Sequence, residues 1–427
     1  MRYNVGMKKF HVAIVGGGAS GLTLACTLVT ENCTITVYER GERVGRKLSA
    51  TGNGQGNVTN LAASATPYFS FSRVGAMRAN ELVSRYDEKS LMDDLQSLGL
   101  LLIADDRGRV YPAGRQASAV TDALRFTLAQ KGVDVRFDSQ VCAIQKTADG
   151  FTLSITNKQG EMQTAQADAV VLCAGGNVAK QLGTDGSAYA LVTTLGHTCT
   201  PLYPSLVQLK TEMQAIKTLK GIRVTDAGIR ADWTNEQGEK QTHSLQGDLI
   251  FTDCGVSGDG IFRISAFVTA HIQRGVSLTI DFLPTYTQED IYALLTQKRK
   301  HYPQIERGEL LCGFVNNQIA RAIMKCANGD LQTAAKLVKA FPLAVKGSLG
   351  ADYAQVTKGG ICMDEVDDNL QSKFIDGLYF AGEILDVDGQ CGGFNLQWAY
   401  SSAKAVANAL FARMQNTVKT SKDRGQV

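Results

Sequence analysis

A glycine-rich turn near the N-terminus constrains the fold of this 427-residue chain more than any other feature. The segment Gly16-Gly17-Gly18-Ala19-Ser20-Gly21 has the spacing G-x-G-x-x-G and directly follows an apolar run from Lys9 to Val15. A helical pattern from Ala19 to Thr30 and a second apolar run from Thr34 to Tyr38 come next. This order predicts a parallel βαβ unit with a dinucleotide pyrophosphate at the helix N-terminus.

The residues of this unit suit separate parts of a dinucleotide. Glycines allow a tight turn and close approach of the backbone to pyrophosphate, and an acidic residue at the end of the second strand suits ribose hydroxyls. Both features are present here. The residues that we predict to bind the cofactor are Gly16, Gly18, Ala19, Ser20, Gly21 and Glu39.

A C-terminal segment indicates which dinucleotide is bound. Gly377 to Ala381 reads as a core strand, and it leads to Gly382 and Glu383. FAD needs such a carboxylate for the hydroxyls of its ribityl chain, whereas a nicotinamide dinucleotide has no ribityl chain. We therefore predict that Gly382 and Glu383 bind FAD.

A second helix start follows this strand. Gly392-Gly393-Phe394-Asn395 precedes an amphipathic stretch from Leu396 to Ala407. A helix N-terminus would stabilise the negative charge that reduced flavin carries at N1 and C2=O. We predict that Gly392, Gly393, Phe394, Asn395 and nearby Asp388 bind the cofactor. A capped helix after an ordinary loop stays an alternative.

Two further segments complete the predicted cofactor site. The run from Arg46 to Asn60 is too rich in Gly and Asn for helix or strand, and its amides and two cations suit pyrophosphate or the flavin edge. Ala169 to Gly176 reads as a strand whose end passes the adenosine. A surface loop and a plain core strand are the alternatives. The predicted contacts are Arg46, Lys47, Thr51, Gly52, Asn53, Gly54, Asn57, Ala174 and Gly175.

Charge and cysteine content narrow the class of protein. The 44 Lys and Arg residues nearly balance the 41 Asp and Glu residues, so nothing favours a nucleic acid or an anionic membrane as partner. Ten scattered cysteines without a C-x-x-C pair indicate reduced thiols in the cytoplasm. The run from Val12 to Val29 could pass for a signal peptide, but the glycine spacing favours the βαβ unit.

The chain resembles the YhiN/BaiN-like flavoproteins, which include aminoacetone-oxidase-like enzymes. The shared segments are Gly16 to Gly21, Glu39, Arg46 to Asn60, Pro204 to Val207, Phe251 to Ile261, Val356 to Gly360 and Gly377 to Trp398. The resemblance implies FAD and oxidoreductase chemistry. Two departures are Gln55-Gly56, where the family often has Arg-Cys, and Asp253, where it tends to have His.

The predicted fold class is α/β. A split Rossmann-like FAD-binding domain with a parallel sheet and a strand ribbon carries an inserted antiparallel β-barrel and a helical subdomain. We assign residues 1–195 and 349–427 to the FAD domain, 196–285 to the barrel and 286–348 to the helices. The sequence gives no oligomeric state.

The predicted function is hydride transfer between flavin N5 and a small organic substrate. Amine oxidation with O2 and NAD(P)H-driven reduction of a conjugated alkene both stay open, and a nicotinamide donor would visit transiently. The five histidines show no metal-ligand spacing, so we predict no metal. Catalytic residues stay unassigned. Tyr353 or a water could donate a proton, Cys391 could be a reactive thiol before the helix start, and Asp386 could hydrogen-bond flavin or substrate. A flavin redox sensor or an RNA-modifying flavoprotein is the alternative function.

Overall fold

The computed structural model describes residues 9–28, 30 and 33–424, with side chains up to residue 416. Two compact units are present. Unit 1 comprises the described residues up to Leu202 and those from Val356 onward, and unit 2 spans Tyr203–Gln355.

The strands are β1 Phe10–Val15, β2 Cys33–Tyr38, β3 Thr59–Asn60, β4 Leu102–Ala104, β5 Arg109–Pro112, β6 Asp134–Arg136, β7 Gln140–Thr147, β8 Gly150–Thr156, β9 Met162–Ala167, β10 Ala169–Leu172, β11 Tyr203–Ser205, β12 Leu209–Thr211, β13 Arg223–Thr234, β14 Lys240–Phe251, β15 Gly255–Ser257, β16 Val276–Asp281, β17 Phe341–Ser348, β18 Val356–Lys358 and β19 Leu378–Phe380. The helices are α1 Ala19–Leu28, α2 Arg73–Arg85, α3 Glu88–Ser97, α4 Ala117–Gln130, α5 Ser187–Thr194, α6 Asp259–Val268, α7 Gln288–His301, α8 Asn317–Cys326, α9 Leu331–Lys339 and α10 Phe394–Arg424.

A five-stranded parallel sheet, in the order β19-β10-β1-β2-β6, forms the centre of unit 1. Its inner strands β10, β1 and β2 are mostly buried, and β10 is buried along its full length, as expected for a parallel sheet covered on both faces. The last residues of four strands are register partners: Val15 pairs with Tyr38 and with Leu172, and Leu172 pairs with Phe380. The loops that follow these strands therefore start side by side.

The predicted βαβ unit and Rossmann-like α/β fold are confirmed, with local differences. Helix α1 ends at Leu28, short of the predicted Thr30, and Val29 lies outside the described residues. Strand β6 pairs with β2 at the edge of the parallel sheet. The predicted strand ribbon consists of β7, β8 and β9. Helices α2 and α3 are separate, and Asp87 caps the start of α3.

Helix α10 anchors the end of β19. Trp398, 1% exposed, donates from Nε1 to the carbonyl of Gly382 at 3.1 Å. Ser402 accepts from the amide of Gly382 at 2.9 Å through its hydroxyl. The two side chains lie one helical turn apart, so one face of α10 fixes the backbone just before Glu383.

Unit 2 contains a closed antiparallel barrel of six strands, in the order β12-β15-β14-β13-β16-β17. Alternate residues such as Ile229, Leu249 and Leu278 point into a buried core. Helices α7, α8 and α9 follow β16 and pack through buried aliphatic faces. The sixth barrel strand, β17, comes from the segment that the sequence assigned to the helical subdomain. The three-part domain boundaries stay a prediction.

The described helices include none that is both long and apolar enough to cross a lipid bilayer.

Trp398→Phe should lower the free energy of unfolding by about 1–3 kcal/mol, because it removes the donor to Gly382 and leaves part of the indole space empty. Urea unfolding followed by circular dichroism measures this loss. Trp233→Phe is the matched control, since Trp233 is half-buried on the barrel and stacks on His271. Equal losses in the two variants would contradict the anchoring role of Trp398.

Candidate functional site

Four loops at the carboxyl edge of the parallel sheet form the candidate site. They start at Gly16, Glu39, Cys173 and Ala381, the residues that follow the four aligned strand ends. In open α/β sheets, ligands bind outside the carboxyl ends of the strands. The topology therefore brings together segments that are more than 360 residues apart in the sequence.

The glycine turn leaves no room for side chains at two of its positions. A Cβ at Gly16 would lie 2.5 Å from the carbonyl oxygen of Cys173, and one at Gly21 would lie 2.0 Å from the carbonyl oxygen of Gly16. At Gly18, by contrast, a Cβ would meet no atom within 4 Å. The chain itself thus requires Gly16 and Gly21, while the open space beside Gly18 is available to a ligand.

Glu39 lies against the same turn. Its carboxylate accepts from the amide of Gly17 at 2.9 Å and from the amide of Gly41 at 2.7 Å. This position at the end of β2 is the one predicted for a group that binds ribose hydroxyls, and the two amides fix the carboxylate there.

A half-buried ion pair joins the polar loop to the end of β19. Lys47 donates to both oxygens of Glu383, at 2.9 and 2.7 Å, and the amide of Thr357 donates to the same carboxylate at 2.9 Å. Gly176 passes so close that a Cβ there would lie 2.8 Å from Glu383 Oε1. The structure therefore brings Lys47 and Glu383 together as one cluster.

Thr357 was not among the predicted site residues. Its position in the shared segment Val356 to Gly360 is the sequence signal that could have found it.

Other residues predicted in the polar loop have partners within the protein. Asn57 is buried and donates to the carbonyls of Thr59 and Val110, and Arg46 donates to the carbonyl of Gln181. The loop also contains a 3-10 turn over Leu48–Ala50 and the short strand β3, although the sequence predicted neither.

The remaining predicted contacts of these segments lie on the adjoining turns. Thr51 donates to the carbonyl of Leu48, and Ser20 donates to that of Ala381. Gly52, Asn53 and Gly54 form an exposed turn with positive φ angles. Ala174 and Gly175 begin the loop after β10, half-buried beside the glycine turn, and the role of each as a cofactor ligand stays a prediction.

The start of α10 is packed tightly against β3. A Cβ at Gly393 would lie 2.3 Å from the backbone of Thr59, and Gly392 accepts a hydrogen bond from the side chain of Asn60. Asn395 bonds the backbone of Gly389 in both directions, at 2.9 Å. These contacts place the start of α10 at Phe394, two residues before the predicted stretch that begins at Leu396, and the side chain of Asn395 shapes the loop that precedes the helix.

Two buried carboxylates follow Glu383. Asp388, 1% exposed, is paired with Lys358 at 3.4 Å. Asp386, also 1% exposed, accepts from the hydroxyl of Ser70 and the amide of Phe71 through Oδ2, whereas its Oδ1 is buried without a hydrogen-bond partner. Burial, with a smaller contribution from the charge of Asp388, raises the pKa of Asp386 from 3.8 to about 6.

The weaker candidates differ in their surroundings. Cys391 is half-buried one residue before Gly392, and Tyr353 lies 67% exposed in unit 2. Within the described part of the chain, no group of three His, Cys, Asp or Glu side chains could hold a metal ion.

Comparison with known proteins identifies the family. The HI0933-like protein Rossmann domain matches residues 10–409. The chain belongs to the HI0933-like Rossmann family. This membership confirms the resemblance drawn from the motifs, and it makes the chain an enzyme of a flavin-dependent oxidoreductase family with an FAD-type cofactor.

Two curated relatives align over nearly their whole length. The 3-dehydro-bile acid delta(4,6)-reductase of Clostridium scindens is 30% identical over 420 residues, which cover 94% of this chain and 99% of the relative. The ribosomal RNA dihydrouridine synthase of Escherichia coli is 25% identical, covering 95% and 99%. A solved 3-ketosteroid-delta4-(5alpha)-dehydrogenase from Rhodococcus jostii RHA1 is 15% identical, with a TM-score of 0.48 and coverage of 95% and 98%.

The site of this HI0933-like protein fits FAD in its donors, its charges and its open space. Gly18 leaves room beside the N-terminus of α1, and Glu39 and Glu383 carry carboxylates at opposite sides of the glycine turn in the strand order. In this arrangement Glu39 would hold the adenosine ribose and Glu383 the ribityl chain. The individual contacts remain predictions.

Gly18→Val should leave the fold intact and weaken FAD retention at least roughly tenfold, because the new side chain fills space that the protein itself leaves open. The flavin-to-protein ratio after gel filtration, together with an FAD titration, measures this effect. Gly347→Val in the barrel is the control, since a Cβ at Gly347 would meet only the Cδ atom of Lys210, at 3.9 Å. Full flavin content in Gly18→Val would exclude this turn as the pyrophosphate site.

Asp386→Asn should change how stability depends on pH. The folded protein holds the Asp386 proton up to about pH 6, while the unfolded chain releases it near 3.8. Stability is therefore lost as pH rises through this window, by about 3 kcal/mol if the full pKa difference is expressed. Unfolding midpoints in urea between pH 4 and 7 should fall less for Asp386→Asn than for the wild type. The exposed control Asp253→Asn should keep the wild-type fall, and an unchanged slope in Asp386→Asn would show that Asp386 ionises normally.

Proposed function

We propose that this protein is an FAD-dependent reductase that saturates a carbon–carbon double bond conjugated to a carbonyl group, with NAD(P)H as the electron source. The observation that carries the proposal is the chemistry named for its two full-length relatives. The 3-dehydro-bile acid Δ4,6-reductase is named for double bonds at positions 4 and 6, which are conjugated with a 3-oxo group. The second relative makes dihydrouridine, which is uridine whose ring double bond, conjugated with a carbonyl, has been reduced. Neither relative is named for amine oxidation.

The same reaction type in two relatives with different substrates supports the reductive branch over the oxidase branch. FAD, once bound and reduced by NAD(P)H, would supply the hydride for such a reduction from its N5. The protein then has three tasks: to hold the cofactor, to orient the alkene and to provide a proton to the second carbon.

The cofactor would be held at both ends of the aligned strand edge. Glu39 is fixed by two backbone amides, and Glu383 is fixed by Lys47 and Thr357. Lys47 places a cation against Glu383, and the carboxylate oxygens can accept further hydrogen bonds from hydroxyl groups.

Asp386 is our candidate for holding the proton. Its Oδ1 is buried and unpaired, and its raised pKa keeps a substantial fraction protonated at mildly acidic pH. A carboxylic acid in this state can donate a proton when an acceptor reaches it, as general acids in apolar sites do. Tyr353, the donor considered from the sequence, lies in the other unit and is largely exposed.

The substrate class has two candidates. A polycyclic enone is favoured by the 30% identical relative, and the near-balance of charges over the whole chain agrees with a small organic substrate. A uridine in ribosomal RNA is favoured by the 25% identical relative. We rank the enone first because its relative has the higher sequence identity at nearly equal coverage.

Anaerobic reduction with NADH or NADPH should bleach the flavin band near roughly 450 nm. Addition of a 3-oxo-4,6-diene steroid should then restore the band and give a product heavier by two hydrogens. An rRNA fragment assayed in parallel for dihydrouridine tests the second candidate. The Gly18→Val protein is the control, since it should lose both signals with its flavin.

Asp386→Asn should slow the restoration of the band by the enone at mildly acidic pH and leave bleaching by the nicotinamide unchanged, because only the alkene step takes up the proton. Peroxide formation from amines in air, with no reaction toward enone or RNA, would contradict the proposal and favour the oxidase.

A further inference from the structure

A basic depression lies in unit 2, between the turn at Arg307 and the end of α8. Its volume is about 460 Å³, and it is lined by Arg307, Arg321 and Lys325 together with Gly308, Gly329 and Met324, and also by Asn328. This volume falls in the range of small-molecule sites, about 300–1,000 Å³. No carboxylate is among its lining residues.

Three cations from two separate elements line the depression. Arg321 and Lys325 are four residues apart on α8, so their side chains are neighbours on one face of the helix, and like charges at this spacing repel. Arg307 approaches from a separate 3-10 turn, Arg307–Glu309. Within the part of the chain that the structure describes, none of the three has an ion-pair partner.

Glycine at 329 permits the approach of Arg307. A Cβ at Gly329 would lie 2.8 Å from Cδ of Arg307, so the guanidinium stem lies directly across that backbone. Glu306 and Glu309 flank Arg307 in the chain, but neither lines the depression. Asp330, which follows Gly329, is used as the N-cap of α9 through its bond with the amide of Thr333.

Cations near a helix C-terminus also interact favourably with the helix dipole. That effect accounts for Lys325 in the last turn of α8, but it does not account for Arg307, which belongs to another element, or for the absence of carboxylates from the lining. A bound anion accounts for all three cations.

We propose that this depression binds a phosphate group. Two guanidinium groups and one ammonium suit the oxygens of a phosphate, which arginine bonds in bidentate fashion. The phosphate could belong to a small nucleotide or to the backbone of RNA, and the chemistry of recognition is the same for both. The inference does not rest on the proposed reaction, because its test measures phosphate binding and not catalysis.

The test uses full-length, FAD-loaded protein and inorganic pyrophosphate as the probe, in isothermal titration calorimetry at low ionic strength. Arg321→Gln/Lys325→Gln and, separately, Arg307→Gln should weaken pyrophosphate binding roughly tenfold or more. Lys336→Gln on α9 removes an exposed cation outside the depression and should bind like the wild type. All three positions are exposed, so the variants should keep the wild-type unfolding midpoint.

Equal binding by wild type and depression variants, or no binding by the wild type, would overturn the proposal. Competition then distinguishes the sources of the phosphate. Displacement of pyrophosphate by NADPH and not by an RNA oligonucleotide without terminal phosphates assigns a small nucleotide, and displacement by the oligonucleotide assigns the phosphodiester backbone. If neither displaces pyrophosphate, the depression does not take the phosphate of a nucleotide or nucleic acid, and the proposal is wrong.

Discussion

The alignment of four strand ends in one parallel sheet is the constraint on which the rest of the site depends. Val15, Tyr38, Leu172 and Phe380 are register neighbours, so the residues after them leave the sheet at one edge. The register is tight enough that Gly16 must be glycine, because a side chain there would strike the carbonyl of Cys173. A register shift of one residue in β2 or β19 would turn the side chains of that strand to the opposite face of the sheet. It would also move Glu39, after β2, or Glu383, after β19, away from the glycine turn. Site geometry in this protein is therefore a consequence of strand pairing.

A second level of organisation is electrostatic, and it joins parts of the chain that strand pairing leaves separate. Lys47 and Glu383 are far apart in sequence, yet they meet in a position where both are about one-fifth exposed. At that depth Lys47 offsets the cost of taking the carboxylate partly out of water. The amide of Thr357 adds a third segment to the same carboxylate. The pair contributes little to stability, since exposed or half-exposed ion pairs contribute about 0–1 kcal/mol, and we infer that its main role is in the proposed cofactor site.

The sequence predicted the parts of the fold that depend on local pattern. The βαβ unit, the strand before Gly382 and the helical run in unit 2 each have a periodicity or a glycine that identifies them. It did not predict which strands pair: β6 joins the parallel sheet and β17 closes the barrel, because pairing depends on distant partners that no local window contains. The same limit applies to the site. Glu39, Lys47 and Glu383 were predicted from their places in motifs. The side chains of Asn57 and Asn395, in contrast, bond backbone groups of the protein, and these partners depend on tertiary packing that no motif shows.

Under the proposed function, Asp386 shows how proton transfer and stability oppose each other. Burying a carboxyl with one oxygen unsatisfied lowers stability near neutral pH, and an asparagine could keep the bonds from Ser70 and Phe71 without carrying charge. Its neighbour Asp388 is equally buried but has Lys358 beside it. At Asp386 burial outweighs the nearby charges and raises the pKa to about 6, which lets this acid hold a proton at mildly acidic pH. An asparagine at 386 would remove that proton, so the lower stability of the wild-type residue is physically linked to its capacity to carry a proton.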